Sequence, residues 1–178
     1  MNGRDMTTRM TQGFALFELL ISLVIWAIGI LGISGLLLLS IRSNNSSYLK
    51  QLSVQSAYDI VDRMRANRQA AINGQYNVNN LVAQGAPTLP ATPSPLCSVS
   101  SCNTTQLATF DKWIWLSSDV AKLPNGCASI NTTTTGNNTE VTIIIQWDDT
   151  PARQKLGTIG STQQSNDHLV QLSIKTLL

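Results

Sequence analysis

The residue best placed to do chemistry in this sequence is Glu18, the only charged residue between Phe14 and Ile41. A carboxylate near the centre of a membrane-spanning helix costs about 2.5–3.5 kcal/mol on insertion scales, and less toward the interface, so it normally has a partner. No Lys or Arg lies one helical turn away from Glu18. Cleavage between Gly13 and Phe14 would create a partner, because the new ammonium group of Phe14 would be the nearest positive charge.

A second group of charged residues lies in the segment Asp59–Asn67, which reads Asp-x-x-Asp-Arg-x-Arg-Ala-Asn and holds Asp62, Arg63 and Arg65. On a helix, Asp59 is one turn from Arg63, a spacing at which opposite charges pair. Together with Arg68, these arginines form the only basic cluster of the sequence. However, 12 Lys+Arg against 10 Asp+Glu is a much weaker excess than nucleic-acid binders usually have. We therefore expect ion pairs on a helix here, and no nucleic-acid partner.

The other candidate catalytic and metal-binding residues form no recognised pattern. His168 follows Asp167, but adjacent side chains on a strand point to opposite faces. No G-x-S-x-G nucleophile motif is present. Asp148 and Asp149 could begin a calcium site, although no third ligand pattern accompanies them. The sequence therefore predicts a protein that is not an enzyme, with no catalytic residue, no metal site and no cofactor.

Three cysteines, Cys97, Cys102 and Cys127, allow three pairings and leave one thiol over. If 105–123 is helical, Cys102 and Cys127 start about 28 Å apart, and the chain beyond each helix end must fold back to join them. Cys97 and Cys102 can meet within one loop. We favour that disulfide, with Cys127 buried and free.

Composition limits the class of protein. The 178 residues suit about one domain, and 12% of them are charged, about half the usual share. Ser, Thr, Asn and Gln take the place of the missing charges. The formal net charge of +2 gives no electrostatic steering, and 43% hydrophobic residues disfavour disorder of the whole chain.

The apolar stretch Phe14–Ile41 is longer than the roughly 20 residues that a helix needs to span a membrane. It is about twice as long as the 7–15-residue apolar core of an ordinary signal peptide. Arg4 and Arg9 precede it, so the positive-inside rule predicts a cytoplasmic N-terminus. Three glycines in this stretch have two interpretations, close helix packing or local loosening of the helix outside lipid; they are Gly29, Gly32 and Gly35.

The remaining pattern predicts an α+β layout. The helix continues to a stop at Asn73–Gly74, with one buried face; that face comprises Leu49, Leu52, Ser56, Ile60, Met64 and Ala71. A proline-rich loop at 79–101 follows, and then a helix at 105–123 capped by Thr104 or Thr105. Its expected buried face comprises Leu107, Phe110, Trp113 with Ile114, Leu116 and Val120. After this helix we expect a short apolar piece at 128–130 and a polar turn at 131–138. Strands at 141–147 and 170–176 then form a small antiparallel sheet, which packs on the second half of the long helix.

Gly13 and Phe14, with Glu18 at the fifth position after the bond between them and a long apolar stretch behind, resemble the class III signal of type IV pilins. The resemblance implies the type IV pilin fold, cleavage after Gly13 by prepilin peptidase, and N-methylation of Phe14. It also implies three regions: a leader at 1–13, a transmembrane and assembly half of the helix at 14–41, and an exported globular domain at 42–178 that includes the outer half of the helix.

Later segments narrow the resemblance. The stretches 57–71, 106–126 and 141–149 are similar to the minor pilin family PilV, the type IV pilus modification proteins. The motif in the first of them is more specific to that family than the pilin signal is; its residues are Asp59, Asp62, Arg63, Arg65 and Asn67.

Membership in the PilV family would imply that the protein is a minor pilin that contributes to pilus assembly and priming, adhesion and twitching motility. Its expected partners are other minor pilins, the major pilin, prepilin peptidase, the inner-membrane assembly platform and a tip adhesin of the PilY family. It would reside in the bacterial inner membrane and then in the extracellular pilus. The alternatives are a minor pseudopilin of a type II secretion system and, less favoured, a DNA-uptake minor pilin.

Overall fold

The computed structural model describes residues 12–81, 90–136, 138–150 and 169–178, with the side chains of 12–15 excepted. The chain divides into two compact units, Met1–Ile41 and Arg42–Leu178. Most of the predicted leader, and the pair Asp167 and His168, lie outside the described residues. An α+β chain with a long first helix and a small antiparallel sheet was predicted, and the structure confirms it.

Helix α1 spans Gln12–Ala66. Within the first unit, the large apolar side chains of this helix are exposed along its whole length; Leu16 near its start is 71% exposed and Ile41 at the end of the unit is 63% exposed. Among the described residues, this is the one helix long and apolar enough to cross a membrane, with a mean hydropathy of 2.5 in its most apolar window. The helix stays regular through its three glycines, and a Cβ added at any of them would meet nothing within 4 Å. The packing and loosening interpretations of these glycines both stay predictions.

In the second unit, α1 buries most of the predicted face, although Leu52 is only partly buried and Ala71 lies beyond the end of this helix. Leu49, Ser56, Ile60 and Met64 are buried and belong with Ala57 and Val61 to the inner side of the helix. Val54 and Tyr58, which form a further apolar stripe with Val61 in the sequence, are instead 37% and 56% exposed. The buried arc is therefore narrower than the apolar pattern suggests.

The expected continuous helix to Ile72 is wrong, because α1 ends at Ala66 and a separate helix, α2, spans Arg68–Ile72. Asn67 between them has φ −118° and ψ 51°, outside the helical region. Gly74 ends α2 with φ +71°, in the left-handed conformation that glycine adopts without steric cost. The stop predicted at Asn73–Gly74 is confirmed.

Four strands form one antiparallel sheet in the order β1-β2-β3-β4. They are β1 Val78–Asn79, β2 Cys127–Thr135, β3 Asn138–Asp148 and β4 Leu169–Leu177. The inward side chains of β3 are fully buried, and those of β4 partly; they comprise Val141, Ile143, Ile145 and Trp147, then Val170, Leu172 and Ile174.

The polar turn predicted at 131–138 is largely strand, since β2 continues to Thr135 and β3 begins at Asn138. Four consecutive threonines occupy this end of β2, and β-branched residues favour strands even when they are polar. Only the tip, with Gly136 at φ +61°, is a turn. Asn79, which was predicted to begin the loop at 79–101, belongs instead to β1. This strand has two residues and is too short to show a sequence pattern.

Helix α3 spans Thr104–Ile114 and continues into a π-helical turn, Trp115–Asp119, and a 3₁₀ turn, Val120–Lys122. The cap expected at Thr104 or Thr105 is wrong. Asn103 caps the helix, because its Oδ1 accepts from the Gln106 backbone N–H at 2.8 Å and Gln106 Oε1 accepts from the Asn103 N–H at 2.9 Å.

The expected buried face of α3 is correct only toward its end. Leu116 and Val120 are buried, but Leu107 is 36% exposed and Phe110, Trp113 and Ile114 are half-buried. The first part of α3 instead buries Ala108 and Asp111. The π-helical turn places Trp115 beside Leu116 in the core, where the Trp115 indole N–H donates to the Ser56 carbonyl of α1 at 2.9 Å.

Replacing Gly126 by Ala should destabilise the second unit by about 2 kcal/mol, because the new Cβ would lie 2.1 Å from the Val120 carbonyl oxygen and force the backbone apart. Gly136→Asn is a suitable control, since that site is open and Asn tolerates its left-handed conformation. Denaturant unfolding of the detergent-solubilised chain measures both. Equal midpoints for the two variants would contradict the close approach at Gly126.

Candidate functional site

The first candidate site is the carboxylate of Glu18 on α1. Its neighbours Phe17 and Leu19 are 64% and 58% exposed, so the carboxylate stands on an apolar helix surface. Within the described part of the chain, Glu18 forms no ion pair and no hydrogen bond. Gly13 and Phe14 belong to the first turn of α1, but their side chains are not described. The cleavage and the pairing of Glu18 with a Phe14 ammonium group stay predictions.

The second candidate site is a polar cluster that joins α1, α3 and the segment after α2. Arg63 of α1 is at its centre. Its Nε donates to Asp59 Oδ2 at 2.7 Å, one turn earlier on the helix, and one of its terminal NH₂ groups donates to Asp111 Oδ1 of α3 at 3.4 Å. The Asp111 side chain is only 9% exposed, whereas that of Asp59 is 41% exposed. The guanidinium group therefore bridges an inner and an outer carboxylate.

Tyr76 and Asn67 complete this cluster. The Tyr76 hydroxyl is buried and donates to Asp111 Oδ2 at 2.6 Å. Asn67 Nδ2 donates to the Thr104 carbonyl at 2.7 Å and to the Tyr76 hydroxyl oxygen at 3.3 Å. The break in the long helix thus places an amide group that ties α1 to the start of α3. We call these five residues the Asp111 cluster: Asp59, Arg63, Asn67, Tyr76 and Asp111.

The electrostatics of the Asp111 cluster follow from its burial. Burial raises the pKa of Tyr76 because the phenolate would lose its hydration, and the hydrogen bond to Asp111 raises it further. Burial acts to lower the pKa of Arg63, but its hydrogen bonds and ion pairs with Asp59 and Asp111 outweigh that effect and raise it. At neutral pH the phenol is therefore a neutral donor and the guanidinium group carries its charge.

Tyr76 should make the protein sensitive to alkali. The pKa of Tyr76 in the folded protein lies above the value of about 10 that tyrosine has in an unfolded chain. The stabilisation of the fold by the Tyr76 hydroxyl is therefore complete below about pH 10. It decreases as the pH rises toward the folded pKa, by up to about 1.4 kcal/mol per pH unit. Tyr76→Phe should remove this loss and lower stability at pH 7 by about 1–2 kcal/mol. Unfolding measured from pH 8 to 11 tests this, with exposed Tyr58→Phe as the control. An unchanged slope in Tyr76→Phe would refute it.

Two residues of the sequence motif lie outside this cluster. Asp62 and Arg65 pair with each other at 3.3 Å on the exposed side of α1, where such pairs contribute little stability. Arg65 also reaches Thr176 Oγ1 at 3.5 Å, and Arg68 donates to the Leu178 carbonyl at 3.1 Å. The expected ion pairs are therefore present at Arg63 and Arg65, whereas Arg68 contacts a backbone carbonyl.

Sequence reasoning missed Asp111 and Tyr76. The signal for Asp111 was present, because it is the one acidic residue within the apolar pattern from Leu107 to Leu116. A pattern of apolar residues alone assigns such a carboxylate to the solvent side. Tyr76 follows the Gly74 turn directly and offers no periodic pattern by which it could be assigned to the core.

The cysteines are arranged as the sequence favoured. Cys97 and Cys102 form a disulfide with 5.5 Å between their Cα atoms, and Cys127 is a buried free thiol. Cys127 Sγ lies 3.8 Å from Gln146 Oε1.

The described residues bring no three His, Cys, Asp or Glu side chains together as a metal site. Asp149 is buried and accepts from Ser46 Oγ at 2.9 Å, while Asp148 accepts from the Thr150 backbone N–H at 2.8 Å. A small polar cleft of about 110 Å³ lies between α1 and the 3₁₀ turn; it is lined by Leu52, Gln55, Ser56, Asp59, Asp119 and Lys122.

Comparison with known proteins gives one match. Residues 35–113 match the Tt1218-like family model, described as type IV pilin Tt1218. The matched stretch covers less than half of the chain, and it contains all five residues of the Asp111 cluster. No curated protein and no solved structure matched the chain.

Proposed function

We propose, from the type IV pilin segment at residues 35–113 and the type IV pilin fold of the chain, that this protein is a minor pilin of the PilV family. The observation that carries the proposal is an apolar helix with exposed side chains and one carboxylate, Glu18, continuous in sequence with a packed α+β unit. An exposed surface of this size would not remain in water, because apolar burial contributes about 25 cal/mol per Å². Lipid first, and then neighbouring subunits, would cover it.

Processing and location are part of the same proposal. Prepilin peptidase cleaves between Gly13 and Phe14 at the cytoplasmic face, Phe14 is N-methylated, and the protein waits in the inner membrane. In the fibre, the Glu18 carboxylate pairs with a Phe14 ammonium group. The regions 1–13, 14–41 and 42–178 then act as leader, assembly helix and exported domain.

The partners of the proposed minor pilin are other minor pilins, the major pilin and the inner-membrane assembly platform, together with a PilY-family tip adhesin. Through them it contributes to priming of assembly, adhesion and twitching motility. The proposed exported unit supports a structural role, because the motif residues Arg63 and Asn67 tie the end of α1 to α3, and Asp59 pairs with Arg63 within α1.

A deletion strain tests the proposal against the pseudopilin alternative. We expect loss of surface fibres, counted by electron microscopy, with normal secretion of exoproteins. Intact fibres with exoproteins trapped in the periplasm would instead assign the chain to a type II secretion system. A mass spectrum of sheared fibres provides the matching biochemical result, a chain beginning at N-methylated Phe14.

A role in DNA uptake would need a free basic surface. Arg63 and Arg65 are each paired with carboxylates, and Arg68 donates to a backbone carbonyl. DNA binding by the purified protein should therefore be as weak in the triple variant Arg63→Ala, Arg65→Ala, Arg68→Ala as in the original chain. A clear loss of binding in the variant would favour the DNA-uptake alternative.

A further inference from the structure

A buried hydroxyl on α1 has no hydrogen-bond partner within the part of the chain that the structure describes. Ser56 is 3% exposed, and its Oγ neither donates to nor accepts from any described residue. Other serines of this helix donate to a carbonyl oxygen about one turn earlier; they are Ser22, Ser34, Ser47 and Ser53. Ser56 instead lines the small cleft between α1 and the 3₁₀ turn, which we call the Ser56 cleft. Because an unpaired buried hydroxyl is costly, this one indicates a ligand in the cleft.

The Ser56 cleft presents side-chain oxygens from both of its walls. On α1, Gln55, Ser56 and Asp59 lie within about one turn of one another, and Asp119 lines the cleft from the end of the π-helical turn. One oxygen of each carboxylate, Asp59 Oδ1 and Asp119 Oδ2, has no hydrogen-bond partner among the described residues, and neither has the Gln55 amide. With Ser56 Oγ, these atoms make four oxygens that are available to one ligand.

The charged groups at the cleft carry an excess of negative charge. Arg63 divides its guanidinium group between Asp59 at 2.7 Å and Asp111 at 3.4 Å, and Lys122 Nζ lies 2.9 Å from Asp119 Oδ1. Three carboxylates therefore share two cations. The Lys122 side chain is 57% exposed, and exposed pairs contribute little stability, so its ammonium group can move into water. A divalent ion in its place would, together with Arg63, balance the three carboxylates.

The volume of the cleft requires a small ligand. Its 110 Å³ has room for roughly three or four water molecules at about 30 Å³ each, and so for one ion with two or three waters. Calcium takes about six to eight oxygen ligands in a flexible arrangement, drawn from carboxylates, amide carbonyls and water. The four side-chain oxygens and two or three waters supply that number. Magnesium suits the cleft less well, because it demands near-octahedral geometry and releases its waters reluctantly.

The backbone that carries Asp119 supports a binding role. The π-helical turn Trp115–Asp119 is a rare conformation that is frequently found at functional sites. Its first residue, Trp115, donates its indole N–H to the Ser56 carbonyl at 2.9 Å. This buried hydrogen bond holds the turn against α1, next to the cleft that Ser56 and Asp119 line together.

We propose that the Ser56 cleft binds a calcium ion through Gln55 Oε1, Ser56 Oγ, Asp59 Oδ1 and Asp119 Oδ2, and that the ion displaces Lys122 Nζ from Asp119. The bound ion ties α1 to the turns that follow α3 and stabilises the second unit. Calcium binding at this site requires no fibre, so its test and the test of the proposed function can fail independently.

Unfolding of the full-length, detergent-solubilised chain in urea tests the site. EDTA-treated protein is compared in the chlorides of calcium, magnesium and sodium at equal ionic strength. Extracellular calcium modules have dissociation constants of about 10⁻⁴–10⁻³ M, so about 10 mM calcium should lower the unfolding equilibrium constant about tenfold to a hundredfold. Magnesium should have a smaller effect. Equal stabilisation by the magnesium or sodium salt, or none by calcium, would overturn the calcium site.

Two substitutions locate the ion. Asp119→Asn removes a charged ligand and should weaken calcium binding at least about tenfold. Ser56→Ala removes a hydroxyl that has no protein partner, so it should leave stability in EDTA unchanged or higher while weakening calcium binding about threefold. Full calcium stabilisation of Asp119→Asn would show that the ion binds elsewhere and would refute the site.

A pair of lysine variants separates the site from general electrostatics. Lys122→Ala removes the competing ammonium group and should strengthen calcium binding about threefold or more. Lys175→Ala is the matched control, because Lys175 Nζ pairs with Glu140 Oε1 at 3.0 Å on the sheet and its side chain is 66% exposed. This control changes the net charge equally and should leave calcium affinity unchanged. If both lysine variants strengthen calcium binding alike, the displacement of Lys122 is refuted.

Discussion

Glu18→Gln should leave cleavage after Gly13 intact and lower incorporation of the chain into fibres by about a hundredfold or more. Under the proposed function, the carboxylate pairs in the fibre with an ammonium group in apolar surroundings. Removing one partner of a buried ion pair costs about 3–5 kcal/mol, because the other charge is left buried and unpaired. Because about 1.4 kcal/mol corresponds to a tenfold change in an equilibrium constant, this cost lowers the equilibrium constant for incorporation about a hundredfold or more.

Immunoblots of sheared fibres and of membranes measure this ratio, and mass spectrometry of the membrane fraction reports cleavage and N-methylation. Glu18→Asp is the matched variant, since it keeps the charge on a shorter side chain and should restore part of the incorporation. Normal incorporation of Glu18→Gln would show that the carboxylate has no role in assembly. Loss of cleavage in the same variant would place Glu18 in recognition by the peptidase instead.

Asp111→Ala should lower the free energy of unfolding of the second unit by about 3 kcal/mol. The substitution removes the short hydrogen bond from the buried Tyr76 hydroxyl to Asp111, leaving it only the more distant Arg63 carbonyl at 3.4 Å, and removes the inner carboxylate from Arg63. Each buried polar group left unsatisfied costs about 1–3 kcal/mol. Arg63 keeps Asp59, whose side chain is 41% exposed, so its own loss is partial.

Urea unfolding of the detergent-solubilised chain, followed by the fluorescence of buried Trp115 and Trp147, measures this change. Asp62→Ala is the matched control, because it breaks the exposed pair with Arg65 and should cost at most about 0.5 kcal/mol. A double-mutant cycle with Arg63→Ala isolates the energy of the Arg63–Asp111 contact. If the Asp111 and Asp62 variants unfold alike, the Asp111 cluster does not stabilise the fold.

Much of the fold could be predicted because periodic apolar patterns are strong local signals. The apolar stretch, the inner face of α1 in the second unit and the alternating strand β4 all follow from residue spacing alone. The errors fell where local preference was weak or misleading. A polar but β-branched run, Thr132–Thr135, looked like a turn and forms strand. The helix cap moved to Asn103, because its side chain and that of Gln106 satisfy each other's backbone N–H groups.

Of the candidate sites, the sequence by itself predicts the first, since a lone carboxylate in a long apolar membrane-spanning stretch needs a partner whatever the rest of the chain folds into. It also placed Asp59 one turn from Arg63, a spacing fixed by helix geometry. Only the tertiary structure decided that Arg63 also holds Asp111, that Tyr76 donates to the same carboxylate, and that Asn67 ends the long helix. These contacts join residues up to 48 positions apart, and a buried polar cluster follows no sequence period because its members meet through packing.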